Sequence, residues 1–225
     1  MAGFGTSTSA ISAGGAAPTT GETEFFNGST WTVVNALNNL CSHTSGCGTS
    51  TAGIKTGGDT PPKSPNLSGN SEKWNGTSWT EVTGFTSGRT NAATGGTQDA
   101  CLVMGGGQVP ASHGFVEEYN GTSWSEKADL LTDRSHVGCS ANGTVTAMLF
   151  IGGGLVPPGA QSALTEYWNG TSWTEVADLA TATNYNIGGG TSTEAINVGG
   201  GPPSTDQIVE EWNDPTYTIK TVTVS

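Results

Sequence analysis

The chain repeats itself. Phe26-Asn27-Gly28-Ser29-Thr30-Trp31 returns as Trp74-Asn75-Gly76-Thr77-Ser78-Trp79, Tyr119-Asn120-Gly121-Thr122-Ser123-Trp124 and Trp168-Asn169-Gly170-Thr171-Ser172-Trp173. A degraded copy follows at Trp212-Asn213-Asp214-Pro215-Thr216-Tyr217. The asparagines stand 48, 45, 49 and 44 residues apart, a period near 46 that fills the 225 residues with five copies. Self-similarity at that period marks an architecture in which each repeat buries its apolar surface against its neighbours.

Glycine doublets or triplets keep the same phase: Gly14-Gly15, Gly57-Gly58, Gly105 to Gly107, Gly152 to Gly154 and Gly199 to Gly201. Apolar runs such as Leu102-Val103-Met104 and Met148-Leu149-Phe150-Ile151 precede them and read as short buried strands. All seven tryptophans stand at the two aromatic positions of this repeated hexapeptide. Asn-Gly between strand-like runs is a strong hairpin signal. In the third repeat the strands fall near Asn91–Gly96, Ala100–Met104, Phe115–Tyr119 and Thr122–Lys127. Long helices are disfavoured by the abundance of Gly, Thr, Ser and Asn. The expected fold is all-β: one five-bladed β-propeller over 1–225, with four antiparallel strands and about 45 residues per blade. Approximate blade limits are 1–37, 38–85, 86–130, 131–180 and 181–225. A β-solenoid is the rival, but its coils are shorter than this period.

Glu24, Glu72, Glu117, Glu166 and Glu210 each precede the first aromatic by two residues, and Glu81, Glu126 and Glu175 follow a Trp by two. A four-residue loop would set Glu72 opposite Glu81, which like-charge repulsion disfavours. A two-residue Asn-Gly turn, pairing Trp74 with Thr77, is therefore expected. Trp31, Trp79, Trp124, Trp173 and Tyr217 recur at one position as structural repeat residues; Trp79, Trp124 and Trp173 are expected to pack between blades, and the first glutamate set to hold a structural or solvated strand position.

An apolar strand ending in a glycine doublet, about a dozen residues, an aromatic, then a Trp a few residues on resembles the kelch repeat; Leu102-Val103-Met104-Gly105-Gly106, Tyr119 and Trp124 show it. The resemblance covers all five repeats, departing in the short Tyr-to-Trp spacing and in having fewer repeats than is usual. More narrowly, Trp-Asn-Gly-Thr-Ser-Trp-Thr-Glu is similar to kelch-like repeats of marine bacteriophage tail and fibre proteins. That resemblance implies a virion location and a role in host contact.

The chemistry argues against catalysis. The Asn-Gly-Thr-Ser-Trp hairpin is similar to a sialidase Asp box, but only Arg89 and Arg134 could supply a carboxylate-gripping cluster. A galactose-oxidase-like copper site is disfavoured by the scattered His43, His113 and His136. Five equivalent glutamates fit a structural position better than one acid–base site with two separated pKa values. No nucleophile elbow or phosphate loop is present. Neither a metal nor any other cofactor is expected. Cys41, Cys47, Cys101 and Cys139 read as free thiols, with a Cys41–Cys47 bridge the alternative. The Asn-x-Ser/Thr sequons sit mostly inside tight turns, so glycosylation is the weaker reading.

Seven Lys and Arg against 19 Asp and Glu leave a net charge of −12, which argues against nucleic acid and anionic membrane surfaces as partners. The first residues show no secretory signal, and no apolar run is long enough to span a membrane. Variation points elsewhere. If strands alternate, the second-to-third strand connections share one end of the propeller, and they differ sharply: 59–70, 108–113, 155–159 and 202–205. Lys63, Arg89, His113 and Arg134 map to that end and are the candidate binding residues. The expected function is a non-enzymatic binding module, a phage virion or tail-associated propeller contacting a host surface glycan or protein, with homo-oligomerisation open. The alternatives are a structural or decorating virion subunit that docks other virion proteins, and a glycosidase-like enzyme.

Overall fold

The computed structural model describes residues 1–16, 19–60, 67–108, 111–155, 160–201, 208–213 and 218–221; Lys63 and Tyr217 lie outside them. The protein is a five-bladed β-propeller with four antiparallel strands in each blade. Blade 1 comprises β1 (Ala2–Thr6), β2 (Ser9–Ala16), β3 (Thr19–Phe26) and β4 (Trp31–Val34). Blade 2 comprises β5 (Ser45–Thr49), β6 (Ala52–Thr56), β7 (Ser71–Trp74) and β8 (Trp79–Val82). Blade 3 begins with β9 (Ala93–Thr97) and β10 (Ala100–Met104), carries a small hairpin of β11 (Gly107–Gln108) and β12 (Ala111–Ser112), and ends with β13 (Val116–Tyr119) and β14 (Trp124–Glu126). Blade 4 comprises β15 (Gly138–Cys139), β16 (Met148–Ile151), β17 (Thr165–Trp168) and β18 (Trp173–Glu175). Blade 5 comprises β19 (Ile187–Gly190), β20 (Glu194–Val198), β21 (Val209–Asn213) and β22 (Thr218–Thr221). Each sheet is contiguous in sequence. β1 packs beside β5, β5 beside β9, β9 beside β15 and β15 beside β19, so the first strand of each blade lies innermost.

The core is divided among the junctions between blades. Ile11 and Ala13 of blade 1 meet Trp74 and Trp79 of blade 2. Ile54 of blade 2 meets Cys101 and Tyr119 of blade 3. Leu102 and Met104 meet Phe150, Trp168 and Trp173 of blade 4, and Leu149 and Ile151 meet Ala195 and Trp212 of blade 5. The period-2 alternation of a strand explains this: one face of each blade is written for its predecessor and the other for its successor.

The two repeated aromatics divide the work. The first anchors its own blade: Trp74 Nε1 donates to Ser50 O at 2.9 Å and Trp168 Nε1 to Val145 O at 2.8 Å. The second reaches back: Trp79 Nε1 donates to Thr23 Oγ1 at 3.0 Å, Trp124 Nε1 to Thr83 O at 2.8 Å and Trp173 Nε1 to Ala128 O at 3.0 Å. Of the three expected to be buried, Trp79 and Trp173 are and Trp124 is half-buried; Trp31, outside that set, is exposed.

The hairpin register differs from the expected one. Trp74 pairs with Trp79 and Glu72 with Glu81, across a four-residue loop. Repulsion does not decide the register, because Glu72 turns its buried carboxylate to the backbone amides of Asn38 and Asn39, at 2.8 and 3.1 Å, while Glu81 is exposed. The asparagine also has another task than a left-handed backbone. Asn75 Oδ1 accepts from the amides of Thr77 and Ser78 at 2.9 and 2.8 Å, and Asn27, Asn120 and Asn169 do the same in their loops. Only the glycine is left-handed, with φ of 92° at Gly76. In blade 5, Trp212 stands opposite Ile219, so an aliphatic residue replaces the second aromatic there.

Candidate functional site

Connections between second and third strands, and those between blades, share one end of the propeller. They are stitched together in pairs: Ser42 bridges to Asp59, Thr90 to Gly107 and Ser135 to Gly154. The glycine doublets make the stitching possible. Gly105 has φ of 59°, and a Cβ there would lie 2.6 Å from the Arg134 carbonyl oxygen. Gly106 N donates to that same carbonyl at 2.9 Å.

The two candidate arginines are at this end, yet they point inward. Arg89 Nη1 donates to Glu117 Oε1 at 3.0 Å and Nη2 to Val103 O at 3.2 Å. Its Cζ sits 4.9 Å from the Phe85 ring centroid. Arg134 Nη2 donates to Glu166 Oε1 at 2.6 Å, Nη1 donates to Gly152 O at 2.7 Å, and Cζ lies 4.8 Å from the Phe150 centroid. Both side chains are fully buried, so neither guanidinium is offered to a ligand. Burial lowers both guanidinium pKa values, and the paired glutamate opposes that. A desolvated cation is tolerated only when paired and hydrogen-bonded, which these are.

The glutamate set belongs to the same framework. Glu117 accepts from the amides of Thr86 and Ser87, Glu166 from Leu131 and Glu210 from Ala180 and Thr181. Each carboxylate thus holds the loop that enters its blade, repeating what Glu72 does. Glu72, Glu117, Glu166 and Glu210 are buried; Glu24 is half-buried and has no such amide pair among the described residues. His113 is half-buried at the same end, its ring stacked on Phe115 at 4.9 Å.

Four other residues crown this end. His43, Asn91, His136 and Tyr185 have φ of 52°, 54°, 56° and 55°, and they are the non-glycine residues with left-handed backbone among the described residues. Each ends the connection leading into an innermost strand, so they gather at the mouth of the central axis. Asn91 N donates to His43 O at 3.2 Å, His136 N to Asn91 O at 2.9 Å and Tyr185 N to His136 O at 2.9 Å. The backbone therefore forms a staircase from blade to blade, and its steps carry unlike side chains. His43 Nδ1 lies 2.9 Å from Asp59 Oδ2, and the His136 and Tyr185 rings are 4.1 Å apart. His43 and Tyr185 are exposed, and Asn91 and His136 half-buried. Burial, then the neighbouring His43, pushes the His136 pKa below its ordinary 6.5, so that imidazole is neutral near pH 7. The group offers an exposed phenol ring, an amide, two imidazoles and a carboxylate.

Sequence reasoning missed this quartet, although a signal was present. Each member lies sixteen residues after a hairpin asparagine, at 43, 91, 136 and 185, directly after a Ser, Thr or Asn. Among the described residues no cluster of His, Cys, Asp and Glu has the makings of a metal site. The four cysteines are buried and unbridged. No protein-family model matches the chain, and no curated protein matches it significantly.

Proposed function

We propose that the protein is a non-enzymatic binding module whose recognition surface is the axis mouth on the variable-loop end. The observation that carries this is the backbone staircase with unlike side chains. Left-handed backbone costs a histidine or tyrosine free energy, and such strain collects at functional sites. The opposite end repeats Asn-Gly almost unchanged, as a purely structural turn does. Recognition on a rigid scaffold resides where the backbone is constant and side chains vary.

An exposed tyrosine beside amide and imidazole groups suits a neutral polyhydroxylated ligand, with ring stacking and hydrogen bonds but no charge pairing. With a net charge of −12 and both site arginines buried, neutral glycans are favoured over anionic ones. The repeat's likeness to kelch-type repeats of phage tail and fibre proteins supports a host surface glycan or glycoprotein as the partner, with the propeller on a virion.

A glycan array of the parent, Tyr185→Ala and Gly76→Asn tests the reading. We expect binding to neutral glycans, lost in Tyr185→Ala and kept in the hairpin variant. Binding abolished by the hairpin change, with the variant still folded, would place the site at the other end.

A further inference from the structure

Three of the four internal junctions share one construction. The successor blade presents an aromatic pair, and the predecessor presents two side chains of its second strand. Ring centroids of the pairs are 5.3 Å apart for Trp74–Trp79, 5.1 Å for Tyr119–Trp124 and 5.2 Å for Trp168–Trp173. Blade 1 carries the same pair, Phe26–Trp31, at 5.1 Å. No blade covers it among the described residues: Trp31 is 50% exposed where Trp79 and Trp173 are 5%. Blade 5 shows the converse. Ile196 and Val198 occupy the places of Leu102 and Met104, yet they are 39% and 41% exposed where those are 0%.

Both faces also depart from the repeat, one by an apolar residue for a charged one and the other by a large apolar residue for small ones. Val33, opposite Glu24, stands where blades 2, 3 and 4 have Glu81, Glu126 and Glu175. Ile187, opposite Val198, stands where Ala2, Ser45, Ala93 and Gly138 stand in the other blades. Val33 is 62% and Ile187 73% exposed. No packing like that of β15 on β19 joins β19 back to β1.

We infer that blade 5 of one copy docks on blade 1 of a second copy, forming a head-to-tail junction of the type found three times inside the chain. Each copy bears both halves of the interface, preformed and uncovered together. Contiguous exposed apolar side chains rimmed by polar residues mark a protein interface. Because the two patches differ, the contact is heterologous and builds a ring or an open filament.

Light scattering on size-exclusion chromatography tests this with Trp31→Asp, which spoils the blade 1 face, and Ile196→Asp, which spoils blade 5. The parent is expected above the mass of one chain at high concentration and each variant at the mass of one chain. Mixing the variants leaves one good half on each, so a 1:1 dimer and nothing larger is expected. A parent that stays monomeric overturns the inference. So does an oligomer that both variants retain, or variants that each dimerise alone. Val33→Glu, which restores the repeat's own residue, weakens assembly without a folding defect and covers the case of a misfolded aspartate variant.

Discussion

Arg134 Nη2 and Glu166 Oε1 meet at 2.6 Å with both side chains sealed from water. The arginine sits in the loop entering blade 4 and the glutamate on β17, so the pair clamps the loop to the sheet. Removing either partner strands a buried charge. Arg134→Ala and Glu166→Ala should each destabilise by about 3–5 kcal/mol. The double variant should cost much less than the two losses combined, since residues in one network do not add. Urea midpoints of the four proteins check this, and independent, additive losses would show that the pair is not the clamp.

The tryptophans at one repeat position should differ in worth. Trp173→Ala leaves a cavity under Phe150 and Trp168 and should cost about 3–5 kcal/mol. Trp31→Ala, at the uncovered face of blade 1, should cost under about 1 kcal/mol in dilute protein. Thermal or urea unfolding at low concentration separates them. Equal losses would mean that blade 1's face is covered within the monomer.

The fold was legible because it is periodic: 46-residue spacing, glycine doublets and paired aromatics each say the same thing five times. Side-chain destinations were less legible. Glu72 and Glu81 look alike in sequence, and only the position of the Asn38 amide says which one is buried. Arg89 and Arg134, scarce in an acidic chain, read as surface cations, yet scarcity equally suits a buried clamp that needs one Glu each. The axis-mouth quartet escaped because its residues share a backbone conformation and no side-chain type, and a motif search compares side chains.

The hairpin asparagine separates two explanations of Asn-Gly. If its carboxamide oxygen is what matters, Asn75→Asp should be nearly neutral, because a carboxylate also accepts from the Thr77 and Ser78 amides. Asn75→Ala should then cost about 1 kcal/mol, the net worth of such bonds near solvent. If left-handed backbone mattered instead, Asn75→Gly would be the tolerated change and Asn75→Asp would not. Stability curves of the three variants decide between the readings.

The axis mouth should also make stability depend on pH. Folding buries the His136 ring beside His43 and lowers its pKa below 6.5, burial being the larger cause. The unfolded chain takes up this proton near the ordinary value, and the folded chain resists until lower pH. Between those two values the unfolded state therefore holds more protons, so stability rises with pH there and is lost as pH falls. Asn91 occupies the equivalent step with the same left-handed backbone, so His136→Asn should preserve the fold and remove this titration. Urea midpoints between pH ~7.5 and ~5.5 should fall on acidification in the parent and less steeply in His136→Asn. Parallel curves would assign the loss to another group.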